Sequence, residues 1–458
     1  MLFHSWIFFV FFAIVYTGYL LVRNSAFRVP WLLLASYVFY GWWNWYYLLL
    51  ILYATVVDYL CVRAMRRWRH GNIFVVISVS NNLALLAFYK YAEFFIENLN
   101  VVLMCFGVSA TIPEFNILLP VGISFFVFQS MSYVIDFNRG HIAEEPNFLR
   151  YAAFVALFPQ LVAGPIERAR NLLPQLRQAP PVTLNDFATG SSLFLTGLFK
   201  KVALADYVAL YVDEVYAVPE LYDAPALLLA TFAFAWQIYF DFSGYTDMAR
   251  GIARMMGIRL MLNFRNPYVA DSLDDLWKRW HISLSTWFRD YVYIPLGGNR
   301  EGLCRTYVNM FLTMLIAGFW HGAAWTFIAW GALHALGRIA TQKAETTDCY
   351  RFRIPKVVKQ LSVFLFWSFC LIFFRSNLFS DALLILKRLF TTPWSDPHFP
   401  VLMAVFIAIA WAGQFLYESR FRHLLQLRPL RIGTAVFMLV YLILSSGETD
   451  KAFIYFQF

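Results

Sequence analysis

The sequence predicts an all-α polytopic membrane protein, and three observations support this fold class. Of the 458 residues, 60% are hydrophobic and 14% are charged, whereas a soluble domain carries about 25% charged residues. Apolar stretches recur along the whole chain, and a helix needs about 20 such residues to cross a bilayer. Lys and Arg fall in short clusters between these stretches, as they do in cytoplasmic loops. Lipid is therefore the expected solvent for most of the chain.

Several other classes of protein are disfavoured by the same sequence. The net charge of +9 comes from short clusters between apolar runs, so we expect no nucleic-acid partner. The five cysteines are scattered, without a CxxC pair or a Cys/His ligand spacing, so neither a disulfide framework nor a metal site is expected. The motifs of simple ATPases, lipases, zinc proteases and c-type haem proteins are missing from the chain.

Thirteen apolar stretches are candidate spans, and several of them are short or merge. They lie near residues 2–22, 29–47, 46–62, 73–89, 92–108, 117–136, 148–163, 190–212, 225–241, 307–336, 361–375, 400–417 and 432–446. No A-x-A-like cleavage site ends the first stretch, so we interpret it as a retained span. We expect about 11–12 transmembrane helices in a single transmembrane domain covering residues 1–458.

Four basic clusters set the expected orientation, because cytoplasmic loops carry an excess of Lys and Arg. They are Arg23 with Arg28; Arg63, Arg66, Arg67 and Arg69; Arg353, Lys356 and Lys359; and Arg420, Arg422, Arg428 and Arg431. With these clusters in the cytoplasm, counting spans places the N-terminus on the outer side. The last apolar stretch then carries the tail 447–458, with its aromatic motif FIYFQF, to the same side.

Two regions do not fit simple spans. Residues 158–176 contain Pro159, Gly164 and Pro165, followed by Glu167 and Arg168. Non-helical backbone at membrane depth survives only inside protein or beside a water-filled cavity, so we expect a re-entrant element there. Residues 271–300 mix charges with tryptophans, and we expect them to lie at the cytoplasmic interface and to dip into the bundle.

His321 is the leading candidate for chemistry because it lies midway along the apolar run 310–336. A titratable residue at membrane depth is by default a functional candidate, although a neutral core histidine is the alternative. Small neighbours would leave space for a substrate beside the imidazole, and two tryptophans could wall a narrow channel. These residues are Gly318, Gly322, Ala323, Ala324, Trp320 and Trp325.

His334 is the only other ionisable residue in this run. If the run is one helix, thirteen residues at about 100° each place His334 roughly 220° around the axis from His321. The two histidines would not share a helical face. We therefore interpret His334 as structural or interfacial.

His281 lies in a charged, aromatic segment, LWKRWHISLSTW. One interpretation is an interfacial histidine in a membrane-anchoring helix. The other makes His281 a second polar group on the donor side of a channel, with Trp280 lining the passage. Lys278 and Arg279 would then steer a phosphate-bearing acyl carrier such as coenzyme A.

Asp241 and Asp247 follow an apolar run in the stretch QIYFDFSGYTDMARG. Buried carboxylates need partners. Asp241 could line the passage and orient a histidine. Alternatively, these carboxylates could cap the next helix or pair with Arg250 and Arg254.

Several long motifs, in a fixed order, make the sequence resemble the membrane-bound O-acyltransferase superfamily, and within it the alginate O-acetyltransferase branch. They are LLLASYVFYGWW, LPVGISFFVFQSMSYVIDFNRG, FPQLVAGPIER, FDFSGYTDMARGIARMMG, FRNPYVADSLDDLWKRWHISLSTWFRDYVYIPLGGNR, FWHG and the terminal FIYFQF. The resemblance covers nearly the whole chain. It implies a ring of transmembrane helices around a thinned centre, where a funnel from the outer side meets a narrow passage from the cytoplasm.

The resemblance also implies a function and site residues. The family's essential histidine falls on His321 and its second histidine on His281. The implied reaction moves acetyl from a cytoplasmic thioester, such as acetyl-CoA or another acyl carrier, for O-acetylation of a secreted alginate- or cellulose-type polysaccharide outside the bacterial inner membrane. No tightly bound cofactor is expected. A periplasmic SGNH-like acetyltransferase is the expected partner.

The terminal FIYFQF motif adds a hypothesis, because a similar motif in related D-alanylation systems looks like an acyl relay. His321 would activate the hydroxyl of Tyr455, which would carry acetyl outward to a partner. The alternative is an aromatic tail anchored at the interface.

Other functions stay open on the sequence alone. Within the family these are D-alanyl transfer and O-acetylation of peptidoglycan. Outside it, an intramembrane histidine with broken helices also fits a transporter, although the second half does not mirror the first. A non-catalytic scaffold of a polysaccharide export complex is the third possibility.

Overall fold

The computed structural model of the protein describes residues 1–68, 71–108, 111–113, 115, 117–395 and 400–444. All regular secondary structure in these ranges is helical, which confirms the all-α class. The helices are α1 (Trp6–Val22), α2 (Arg28–Gly41), α3 (Tyr46–Arg67), α4 (Gly71–Leu86), α5 (Ala92–Cys105), α6 (Ile123–Asn138), α7 (Phe148–Ala156), α8 (Phe158–Leu161), α9 (Ala169–Arg177), α10 (Leu184–Phe199), α11 (Asp206–Ala217), α12 (Ala224–Met255), α13 (Leu273–Arg279), α14 (Ile282–Phe288), α15 (Gly302–His321), α16 (Trp325–Ala344), α17 (Lys356–Arg375), α18 (Phe379–Thr391), α19 (Val401–Glu418) and α20 (Arg428–Leu444).

Six of the described helices are long and apolar enough to cross a membrane. They are Tyr46–Arg67, the continuous Gly71–Cys105, Ala224–Met255, Gly302–His321, Lys356–Arg375 and Val401–Glu418, and the bent pair Arg420–Gln426 and Arg428–Leu444 would add a seventh. A polytopic membrane protein is therefore confirmed. The number of 11–12 crossings and the single domain over residues 1–458 stay predictions, and the tail 447–458 lies outside the described residues.

One compact unit comprises Met1–Phe194 and Thr246–Met261. In it, α2 packs against α7, and α3 packs against α4 and α6. Asp58 on α3 is completely buried and accepts hydrogen bonds from Ser78, Asn82 and Ser130. A buried carboxylate with several donors keeps its polar oxygens satisfied inside an apolar bundle.

The segment 158–176 is broken as expected, because α8 and α9 are separated by non-helical residues 162–168. Glu167 and Arg168 in the break are both buried. The carboxylate of Glu167 accepts hydrogen bonds from the Met261 backbone N–H and from Asn171. The depth of this segment in the membrane stays a prediction.

The second compact unit comprises Leu195–Tyr245 and the described residues from Leu262 onward. Its centre is a hairpin of α15 and α16, and α16 also packs against α17 and α13. The interface segment 271–300 forms two short helices, α13 and α14, and a π-helical turn at Arg289–Tyr293. This unit contains His281, His321 and Asp241, whereas Asp247 belongs to the first unit.

The apolar run 310–336 is not one helix, which corrects the sequence interpretation of its two histidines. The α15 helix ends at His321, and Gly322 (φ −162°, ψ 152°) and Ala324 (φ −149°, ψ 153°) are extended before α16 begins. These extended residues interrupt the helix, so the angle of about 220° calculated for a continuous helix does not apply. His321 and His334 lie on different helices that pack against each other.

Candidate active site

His321 is the last residue of α15 and is almost completely buried. Three aromatic rings approach its imidazole nearly edge to face. The ring centroids of Trp320, Trp330 and Phe374 lie 4.9, 5.1 and 5.3 Å from that of His321. This aromatic enclosure excludes most water from the imidazole and fixes its orientation.

The small residues beside His321 serve helix packing rather than open space, which corrects the expectation from the sequence. A Cβ atom on Gly318 would overlap the carbonyl oxygen of Phe327, and one on Gly331 would lie 2.6 Å from the carbonyl oxygen of Met314. A Cβ atom on Gly322 would overlap the ring of Phe327. These glycines therefore allow α15 and α16 to approach closely, as small residues commonly do between membrane helices.

The space beside His321 comes instead from a cavity of about 530 Å³ along one face of α15. Thr306, Met310, Thr313, Ala317 and His321 line it at intervals of three or four residues, so they share this face. The face is about 22 Å long at about 1.5 Å of rise per residue. The cavity thus runs from near the start of α15 to the imidazole at its end.

Charged side chains also line the cavity. They are Asp274, Lys278, Arg289, Arg338 and Glu345. The ammonium group of Lys343 lies 5.5 Å from the ring centroid of Tyr307, so the end of α16 lies beside the start of α15. Asp274 pairs with both Lys278 (2.5 Å) and Arg338 (3.1 Å), and the hydrogen bond to Asp274 raises the pKa of Lys278.

His281 lies at the junction of α13 and α14 and is completely buried. Its backbone is left-handed, with φ 41° and ψ 54°. The ring centroids of Phe242 and Phe264 lie 4.6 and 6.3 Å from that of the imidazole. Burial in this aromatic surrounding lowers the pKa of His281 to about 3, so its imidazole is neutral at physiological pH.

Trp320 lies between the two histidines predicted for the site. Its ring centroid is 6.3 Å from that of His281 and 4.9 Å from that of His321. The other two predicted tryptophans differ in their surroundings. Trp280 is buried against Trp367, with 4.8 Å between ring centroids, whereas Trp325 is 58% exposed at the start of α16. None of these three tryptophans lines the cavity that reaches His321, and His281 does not line it either, which differs from the expectation that they line the passage.

Two other predicted residues form ion pairs outside that cavity. Asp241 on α12 accepts a salt bridge of 2.9 Å from Lys201, which also pairs with Asp206 at 2.8 Å. All three are buried, and Lys201 lies in the π-helical turn Lys200–Ala205.

Arg279 pairs with Asp275 on its own helix at 2.9 Å. The alternative pairing of Asp247 with Arg250 is present at 3.5 Å, whereas Arg254 pairs with Asp186.

Sequence reasoning missed several residues of this region. Trp330 contacts both His321 and His334, and Arg338 lines the cavity. Lys201 is the partner of Asp241. The available signal for Lys201 was an ionisable residue inside the apolar stretch 190–212, which needs a buried partner.

Two further expectations concerned Tyr455 and a metal site. Tyr455 lies outside the described residues. Within the described ranges, no group of three or more His, Cys, Asp and Glu side chains is arranged to hold a metal ion.

Comparison with known proteins gives relatives that cover from about half to more than four fifths of the chain. The probable alginate O-acetylase of Pseudomonas putida is 43% identical over 342 residues, which are 73% of this chain and 70% of the relative. The peptidoglycan O-acetyltransferase of Helicobacter pylori is 34% identical over 413 residues, 83% of this chain and 77% of the relative. The teichoic acid D-alanyltransferase of Bacillus subtilis is 30% identical over 241 residues, 49% of this chain and 59% of the relative.

All three relatives are named for the transfer of an acyl group, which supports acyltransferase activity in this chain. The membrane-bound O-acyltransferase family matches residues 134–380, a range that contains His281, His321 and the whole of α15. The chain therefore belongs to the membrane-bound O-acyltransferase family and is an acyltransferase.

Proposed function

We propose that this protein is an O-acetyltransferase of the bacterial inner membrane that passes acetyl from a cytoplasmic thioester toward a secreted polysaccharide. His321 is the general base, and both chain termini lie in the periplasm. The observation that carries this proposal is the cavity along α15, which is lined by charged residues and by the buried imidazole of His321. The 43% identity to a probable alginate O-acetylase supports acetyl as the group and a polysaccharide as the eventual acceptor.

The reaction needs a base at the end of a channel. The acceptor hydroxyl attacks the thioester carbonyl, a C–O bond forms, and the C–S bond breaks. His321 takes the hydroxyl proton and returns it to the leaving thiolate, so no net proton is consumed. A well-placed general base contributes about 10² to 10⁴ in rate.

The position of His321 suits that role. The carbonyl groups at the end of α15 are the negative pole of the helix dipole, which favours positive charge on an imidazole that has accepted a proton. The rings of Trp320, Trp330 and Phe374 keep the surrounding dielectric low. Electrostatic interactions in the transition state are stronger in such a site than in water.

The charged end of the cavity is the proposed donor side and faces the cytoplasm. Lys278 and Arg338 share Asp274 as their carboxylate partner. A phosphate group of acetyl-CoA or of a phosphopantetheine arm would form an ion pair with one of these cations, and Asp274 would stay paired with the other. The thioester would then extend along Met310, Thr313 and Ala317 toward His321.

The acceptor at the outer side is proposed to be Tyr455, which would relay acetyl to a periplasmic SGNH-like acetyltransferase. Replacing Tyr455 with Phe deletes the hydroxyl and keeps the aromatic ring. We expect loss of polymer acetylation in Tyr455→Phe. Full acetylation in that variant would exclude the relay and leave His321 acting on another acceptor.

The test of the proposed function is the acetate content of the isolated polysaccharide in a strain that carries His321→Ala. We expect at least a hundredfold lower acetylation rate, because the general base is lost. The matched control is His423→Gln, which alters an exposed histidine in the turn Arg420–Gln426. A normal acetate content in His321→Ala, at equal abundance in the membrane, would instead favour a non-catalytic scaffold.

Peptidoglycan is the second candidate acceptor, because the peptidoglycan O-acetyltransferase relative aligns with 83% of this chain. The two candidates differ in where acetate accumulates. Ester-linked acetate on muropeptides, with none on the exported polysaccharide, would establish peptidoglycan as the acceptor.

A further inference from the structure

His281 has a backbone conformation that must be held by its surroundings. It is one of two non-glycine residues with positive φ in the described part of the chain, and its φ is 41°. Only a few per cent of non-glycine residues adopt the left-handed region, and histidine is enriched among them together with asparagine and aspartate. Such a conformation persists where the neighbouring structure determines it, and it occurs often at functional sites. The residues that hold this turn therefore control where the imidazole lies.

Asn263 makes three hydrogen bonds to the two residues that follow His281. Its backbone carbonyl oxygen accepts from the Ile282 N–H at 2.9 Å. Its side-chain oxygen accepts from the Ser283 N–H at 3.2 Å and from the Ser283 hydroxyl at 3.0 Å. These bonds also satisfy N–H groups at the first turn of α14, which no carbonyl within the helix can reach.

A fourth hydrogen bond closes the other side of the turn. The Arg265 N–H donates to the Arg279 carbonyl oxygen at 2.9 Å. His281 thus lies between two points at which residues 263–265 are bonded to residues 279–283. These bonds on both sides of the turn restrain its backbone.

The same short segment also orients the imidazole. Phe264 lies between the two bonded residues, and its ring is within 16° of parallel to that of His281, with 6.3 Å between centroids. Asn263 and Ser283 are both completely buried, so water does not compete for their hydrogen bonds. Without the carboxamide of Asn263, the buried Ser283 N–H and hydroxyl would each lose a partner.

We propose that Asn263 is a positioning residue for acyl transfer, because it clamps the left-handed turn that places His281 beside Trp320. This inference rests on the proposed function and adds to it that His281, whose ring centroid lies 6.3 Å from that of Trp320, belongs to the reaction site. Asn263 touches no reacting atom. Its effect passes through the backbone of residues 281–283.

The test compares two variants, Asn263→Ala and Asn100→Ala, each of which removes an asparagine side chain that is hydrogen-bonded to a distant backbone segment. The side chain of Asn100 likewise brackets a loop residue, accepting from the Ile112 N–H and donating to the Ile112 carbonyl oxygen. We expect Asn263→Ala to lower the initial acetyl-transfer rate per folded molecule by about tenfold to a hundredfold, the range for a small misplacement of a reacting group. Asn100→Ala lowers stability and leaves that rate unchanged.

A second measurement detects the imidazole directly, without activity. Release of the turn exposes His281 to water, so in Asn263→Ala the thermal midpoint falls less steeply as the pH drops from about 6.5 to about 5 than in the native protein. The His281→Asn variant supplies the reference for a turn without an imidazole, because Asn tolerates the left-handed region. A purely structural Asn263 would shift the midpoint equally at every pH.

The possible failures are distinguishable. If His281→Asn keeps the full rate while His321→Ala is inactive, His281 takes no part in the reaction. The positioning role of Asn263 is then excluded as well. If His281→Asn is slow but Asn263→Ala keeps the native rate per folded molecule and the native pH slope, the inference alone is overturned. If both variants are slow and Asn263→Ala has the flatter slope, it is supported.

Discussion

His321 and Trp330 lie on consecutive helices of the α15–α16 hairpin, with ring centroids 5.1 Å apart and planes at 81°. The indole of Trp330 also contacts His334, with 4.6 Å between ring centroids. The two histidines are thus connected through one tryptophan although the sequence suggested different faces of a single helix. Their environments differ, because His321 lines the cavity and His334 is completely buried.

We predict that His334→Leu keeps activity. Both ring nitrogens of His334 are buried without a hydrogen-bond partner among the described residues, and its neighbours are the rings of Trp277, Trp330 and Trp367. An apolar side chain of similar volume avoids the cost of burying a polar group, about 1–3 kcal/mol. We expect a native acetylation rate and an unchanged or higher thermal midpoint in detergent. A loss of rate as large as that of His321→Ala would show that His334 takes part in the reaction.

The fold class was predictable because composition and hydropathy are properties of the chain alone. The break between α15 and α16 was not, since no proline marks it and the residues 322–324 that separate the two helices are small and apolar. The turn at His281 is hydrogen-bonded to Asn263, eighteen residues earlier, and the partner of Asp241 is Lys201, forty residues earlier. Pairings of this kind are set by packing, which local sequence patterns do not encode.

We predict that Ala317→Phe blocks the cavity. Ala317 lies one helical turn before His321 on the face that lines the cavity. A phenyl group there would occupy the approach to the imidazole and lower the transfer rate by at least about tenfold, since a misplaced substrate alone costs up to about 10². The control is Val308→Phe, which adds the same ring at a 42% exposed position of the same helix. Equal rates in the two variants would mean that the donor reaches His321 by another route.

The close approach of α15 and α16 gives a third prediction. In Gly331→Ala the new Cβ atom would lie 2.6 Å from the Met314 carbonyl oxygen, so the helices must separate. Overpacking of this kind costs about 1–3 kcal/mol. Separation also moves Trp330 relative to His321, so we expect a lower thermal midpoint together with a lower transfer rate.

The matched control for Gly331→Ala is Gly413→Ala on α19, where no heavy atom of the described residues lies within 4 Å of the new Cβ atom. There, replacing a helix-interior glycine should raise stability by about 0.5–1 kcal/mol. A Gly331→Ala protein as stable as Gly413→Ala would contradict the packing assigned to this hairpin.

The last prediction concerns the pH dependence of stability through His281, which lies outside the six span-length helices. Burial lowers the pKa of His281 from its ordinary value of 6.5, which applies to the unfolded chain, to about 3 in the folded protein. Between these values the unfolded chain binds a proton that the folded protein does not. The free energy of unfolding therefore decreases as the pH falls below about 6.5, by about 1.4 kcal/mol per pH unit.

His281→Asn removes this dependence and keeps a residue that tolerates the left-handed turn. At a pH of about 5 the native protein should have lost about 2 kcal/mol from this group, whereas the variant should have lost none of it. Glu167, whose pKa burial raises to about 7, acts in the opposite direction. It is present in both proteins and cancels from their difference. Thermal midpoints in detergent from about pH 7.5 to about pH 5 measure the two slopes, and parallel slopes would mean that His281 is solvated in the folded state.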